Sequence, residues 1–163
     1  MGGKTIVFGL ATFFHNLFTV VWIGGLIVTV ISILPSVKEA LGTGPQVKKV
    51  MMAFQKRQSV WVYISMAGLI LTGVMLSNRN PEFEHLFGFG NMYSVLLSIK
   101  HILVLILIGL TLYRTLVLGR AQGSLTPAKE RLNIQILLVN AALVVAILFS
   151  SGLIAAIARP ISG

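Results

Sequence analysis

Few residues in this sequence can do chemistry, and they sit where chemistry is least expected. His15 lies inside the apolar run Phe13-Phe14-His15-Asn16-Leu17-Phe18-Thr19-Val20-Val21-Trp22-Ile23-Gly24-Gly25, and Lys100-His101 interrupts a second apolar stretch, Met92 to Leu118. An ionisable side chain at membrane depth needs a partner and marks a functional site facing the interior of a helix bundle. Two imidazoles from different helices can bind a metal from opposite sides, and in b-type sites that metal is haem iron. A lysine withdrawn from water can move protons. Adjacent helical residues point about 100° apart, so Lys100 and His101 cannot both face one axis squarely. With His101 inward, Lys100 pairs with a haem propionate or extends toward the membrane surface. With Lys100 inward, it becomes the candidate catalytic residue.

The elements that must position these groups are membrane spans. The chain has 163 residues, 56% of them hydrophobic and only 10% charged, against about 25% charged in a soluble domain. Uncharged runs from Thr5 to Val37, Gln58 to Asn78 and Leu132 to Ala158 each exceed the roughly 20 residues a spanning helix needs. With Met92 to Leu118 they predict one all-α membrane domain, a four-helix up-down-up-down bundle with helices near 6–34, 59–76, 92–118 and 132–158. Pro35-Ser36 is expected to end the first helix.

The net charge of +9 would raise nucleic acid as a partner for a soluble chain; here it reports orientation, and no nucleic-acid partner is expected. One side carries Lys38, Lys48, Lys49, Lys56 and Arg57 together with Arg114, Arg120, Lys129 and Arg131, the other only Lys4, Arg79 and Arg159. Basic loops stay inside. That places loops 35–58 and 119–131 in the cytoplasm, both termini outside, and the protein in a membrane of prokaryotic cytoplasmic type. No cysteine is present, which excludes disulfides and thiolate metal sites. The N-terminal apolar run is too long for a signal-peptide core and is read as a mature helix.

Depth brings the candidates together. His15 and His101 each lie nine residues in from the expected outer ends Ile6 and Met92, roughly 13 Å at 1.5 Å per residue. Helices 1 and 3 are diagonal neighbours in an up-down bundle. Gly68 and Gly152 fall at a similar level of helices 2 and 4, so two histidines and two glycines would form one layer, with glycine where a side chain would strike a flat macrocycle. Thr19, Trp22 and Ser65 would shape this pocket. The stripe Thr12, Thr19, Trp22 and Thr29 should face other helices; alternatively, threonines bond to their own backbone. Val47 to Arg57 reads as a short interfacial helix or a solvated loop. Glu82, Glu84 and His85 offer three candidate metal ligands in the outer loop, or an ordinary solvated segment.

The pattern His15-x6-Trp22-x-Gly24-Gly25-Leu26, with Lys100 in the third helix, resembles the superfamily that joins CopD-type copper-resistance membrane proteins and HemJ-type protoporphyrinogen oxidases. The resemblance covers all four helices loosely and is specific in the first helix and at Lys100. It implies a helical membrane bundle, and in the oxidase branch a b-type haem with a first-helix histidine and a third-helix lysine, here His15 and Lys100. That branch carries Leu-Pro-Arg soon after the tryptophan-glycine motif, whereas here Leu34-Pro35 comes later and is followed by Ser36.

The expected function is therefore a membrane b-type haem protein, with His15 and His101 as the metal ligands, engaged in electron transfer with a quinone or a partner subunit. Alternatives are a HemJ-like oxidase acting on a porphyrin through Lys100, CopD-like copper transport, and a structural subunit of a larger membrane complex. The lipid bilayer is the first partner, and a homo-oligomer or a larger assembly the second.

Overall fold

A computed structural model describes residues 2–77, 83, 85–119 and 126–157. Among these residues all regular structure is helical. Four helices are long and apolar enough to cross a membrane: α1 Gly3–Leu41, α2 Pro45–Ser77, α3 Met92–Leu118 and α4 Pro127–Ile157. The shortest has 27 residues, roughly 40 Å at 1.5 Å per residue, which exceeds a hydrocarbon core of about 30 Å.

The helices run past several of the ends expected from sequence. Pro35 does not stop α1, which continues to Leu41. A proline ring clashes with the carbonyl four residues earlier and leaves it without a donor; here the turn before it, Thr29–Ile33, is π-helical. Such a widened turn relieves the clash and rearranges the affected carbonyls. Gly42, with φ of 72°, then ends the helix in a backbone region that glycine reaches without strain.

α2 begins at Pro45, not near Ser59, so the segment expected as an interfacial helix or a loop is the first part of the span itself. α4 likewise begins at Pro127 rather than Leu132. Both start on proline, whose missing N–H is an unpaired helix-start donor in any case. Lysine and arginine are good helix formers, so fixed charges mark where apolar cover ends and not where the helix ends. α3 begins where expected: Asn91 Oδ1 accepts from the Ser94 N–H at 2.7 Å and caps it.

Side-chain contacts give the register. His15 meets Thr72 and Thr29 meets Gln58 between α1 and α2; Tyr63 meets Thr115 between α2 and α3; Thr111 meets Asn140 and Arg114 meets Asn133 between α3 and α4. Within the α1–α2 and α3–α4 pairs one index rises as the other falls, so those two pairs are antiparallel. The core lies midway, where Trp22 and Ile23, Val62 and Met66, Leu107, and Val144 and Ile147 pack together from all four helices. Val20, Ile31, Leu71, Leu105, Val145 and Phe149 instead point outward and are exposed. Apolar residues around the whole outside, with backbone bonds satisfied inside each helix, suit contact with lipid.

Candidate functional site

His15 projects from α1 onto α2. Its Nδ1 lies 2.9 Å from Thr72 Oγ1, and its Cε1 edge rests at Gly73, where an added Cβ would stand 3.7 Å away. The Thr72 hydroxyl has one proton, and that proton goes to the Gly68 carbonyl at 2.7 Å. Toward His15, then, Thr72 is an acceptor. The imidazole donates from Nδ1 and keeps its lone pair on Nε2.

His101 is held in the same way by a different element. Its Nδ1 is 3.2 Å from the Leu86 carbonyl, an acceptor only, so again Nδ1 carries the proton and Nε2 the lone pair. The segment after His85 folds over the start of α3 to make this contact. Ser98 donates to the Gly88 carbonyl at 2.8 Å, and Phe87 meets the His101 ring edge-on at 6.3 Å between centroids. Sequence reasoning treated this loop only as a possible metal site. His85 is exposed, while Glu82 and Glu84 lie outside the described residues.

Lys100 is half-buried on α3, one residue before His101. In the haem proteins and metalloenzymes where histidine ligates, the ring nitrogen not on the metal is held by an oxygen acceptor, which sets the tautomer and raises basicity. Both imidazoles have their Nδ1 held by an oxygen here. Among the described residues no three His, Cys, Asp or Glu side chains gather as a metal-binding group.

The two glycines of the expected layer behave differently. Gly68 is a notch filled by the Phe18 ring: a Cβ there would overlap three of its carbons. Gly152 is exposed, with nothing within 4 Å of an added Cβ, because the inward stripe of α4 is Ile136, Leu137, Asn140, Val144, Ile147 and Ser150. The expected layer is thus not assembled in this structure. For the threonines of the α1 stripe, the alternative of bonding to their own backbone is the one observed. Thr12, Thr19 and Thr29 donate to the carbonyls of Phe8, His15 and Gly25 at 2.9, 2.8 and 2.6 Å, and of these only Thr29 also reaches across to Gln58, at 3.4 Å.

Deeper along α1 and α2, Trp22 and Ser65 are buried, and neither Trp22 Nε1 nor Ser65 Oγ has a hydrogen-bond partner. Trp22 borders a small polar chamber of about 30 Å³ shared with Thr29, Gln58, Thr111, Arg114 and Asn140. Asn140 is fully buried; its Nδ2 donates to Thr111 Oγ1 at 3.2 Å and its Oδ1 has no partner. The sequence showed Arg114, Asn133 and Asn140 as polar residues of spanning helices, but not that they meet. Comparison with protein-family models, with curated proteins and with solved structures finds no match for this chain.

Proposed function

We propose that this chain is a membrane-embedded b-type haem protein in which His15 and His101 supply the axial nitrogens and which passes electrons to or from a quinone or a partner subunit. One observation carries the reading: two imidazoles on separate helices, each with Nδ1 committed to an oxygen and Nε2 left with its lone pair. Iron protoporphyrin supplies a one-electron couple when bound.

The chain's own residues do the rest. Thr72 and the Leu86 carbonyl orient the imidazoles, and Lys100 offers positive charge for carboxylate groups beside them. With both His15 and His101 holding it, the group would have no position left for a substrate, which favours electron transfer over chemistry on a bound substrate. In this reading the bundle runs up-down-up-down with both termini outside a prokaryotic cytoplasmic membrane, and Gly68 packs Phe18 rather than the cofactor.

The test is a reduced-minus-oxidised visible spectrum of the detergent-purified protein. Sharp low-spin b-type bands, lost in both His15→Ala and His101→Ala, are expected. A folded, haem-supplied preparation with no such bands would overturn the reading.

Lys100, a half-buried cation on the same helix as His101, supports a second reading, a HemJ-like porphyrinogen oxidase with His15 as the haem ligand. It requires turnover that survives His101→Ala and disappears in Lys100→Met. Copper transport gains no comparable support, since Met66 is buried in the core while Met75 is exposed on the outside of the same helix, so these thioethers line no common path.

A further inference from the structure

Arg114, near the end of α3, has no part in that mechanism. Its Nε donates to Asn133 Oδ1 at 3.0 Å. Among the described residues its terminal nitrogens have no hydrogen-bond partner, and the only ion pair, Lys48 with Glu130, lies elsewhere. A half-buried guanidinium with most of its five donors unused is a strong recognition group for an oxyanion, because its planar fork matches carboxylate and phosphate.

Arg114 lines a cavity of about 530 Å³ at the end of the bundle where α1 passes into α2. That volume falls in the range of small-molecule sites, about 300–1,000 Å³. Its walls include Met51, Met52 and Ile134, its charged lining is Lys38, Lys48 and Arg114 against Glu130 alone, and Glu130 is already paired with Lys48. A purely polar anion would leave the methionine wall uncovered by apolar groups. A zwitterionic lipid would pair its phosphate with Arg114 but bring its own cation against Lys38 and Lys48. The complementary occupant has an anionic head and an apolar body.

We propose that this cavity binds an anionic phospholipid from the surrounding membrane, with Arg114 and Asn133 on the phosphate, Lys38 near the head group, and acyl chain along Met51, Met52 and Ile134. Basic pockets between spanning helices are suited to such head groups. This site is independent of the haem reading, since it shares no residue with the histidine group.

The experiment is native mass spectrometry of the full delipidated chain with phosphatidylglycerol, phosphatidylcholine or inorganic phosphate added. One phosphatidylglycerol per chain is expected, with at least tenfold weaker binding of phosphatidylcholine and no retention of inorganic phosphate. Arg114→Gln should weaken phosphatidylglycerol at least tenfold, and Ile134→Trp, which fills the cavity and keeps every charge, should do the same if the arginine variant does not fold. Lys129→Gln, an exposed cation not lining the cavity, should leave binding unchanged. Equal binding of both lipids, retention of inorganic phosphate alone, or an equal loss in Lys129→Gln would overturn the proposal.

Discussion

The His15 end and the Arg114 end of the bundle both place polar groups between apolar helices, yet they use them oppositely. At the His15 end each imidazole spends one nitrogen on an oxygen and keeps the other free. At the Arg114 end, side chains from α2, α3 and α4 bond across helices: Tyr63 with Thr115 at 2.8 Å, Asn140 with Thr111, Arg114 with Asn133. The first arrangement leaves a lone pair on each imidazole without a hydrogen bond among the described residues. The second ties helices together, and leaves only the arginine fork and a few buried atoms open. Polar residues in a membrane bundle are thus not one class: what matters is which atoms remain after internal partners are counted.

The sharpest way to break this contrast is at the histidines. His15→Ala or His101→Ala should abolish the low-spin haem spectrum while leaving the circular-dichroism melt close to that of the parent chain. A melt that collapses in both would make the histidines structural glue like the residues at the other end. Next is Thr72→Val, which removes the acceptor that sets the His15 tautomer. Losing the partner that orients a ligating histidine weakens metal binding by about 10–100-fold, so haem titration should show a weaker but still six-coordinate complex. An unchanged affinity would separate Thr72 from ligand orientation.

Gly68→Ala tests whether the notch serves packing. Its Cβ would collide with the Phe18 ring, and overpacking costs about 1–3 kcal/mol. Phe18→Val in the same chain should recover most of that loss of stability, and failure to recover it would show that the notch accommodates something other than Phe18.

Smaller effects distinguish the Arg114 end. Thr111→Val removes the acceptor for Asn140 Nδ2, and interhelical hydrogen bonds in membranes average about 0.6 kcal/mol; steric-trap unfolding should register a loss of that order. Smallest is Glu130→Gln. Its pairing with Lys48 lies at the surface, the two side chains being 38% and 64% exposed, and such pairs contribute about 0–1 kcal/mol, less as salt rises.

Much of the fold was legible because hydrophobic length is a one-dimensional property. The span Met92–Leu118 emerged with its bounds, helped by a turn-forming Asn91 that caps it. The ends of the other helices were not legible where lysines and arginines extend the helix beyond its apolar cover, or where a π-helical turn lets the chain pass Pro35. His15 and Lys100 could be singled out because each is a lone ionisable group in apolar surroundings. Gly152 and Gly68 could not be assigned the same way, since depth along a helix says nothing about which face a residue occupies or which neighbour fills the space beside it.

By itself, the sequence determined four helices long and apolar enough for a membrane, and an inventory of polar residues too small to be scattered at no cost. Only the tertiary structure decided what those residues meet. It set His15 on Thr72 and His101 on Leu86, filled Gly68 with Phe18, turned Gly152 outward and gathered Arg114, Asn133 and Asn140 at the opposite end. The physical reason is that partition into lipid depends on summed side-chain apolarity along the chain. A hydrogen bond between helices depends instead on rotation and register to within an ångström, and these are fixed by packing against all the other helices at once.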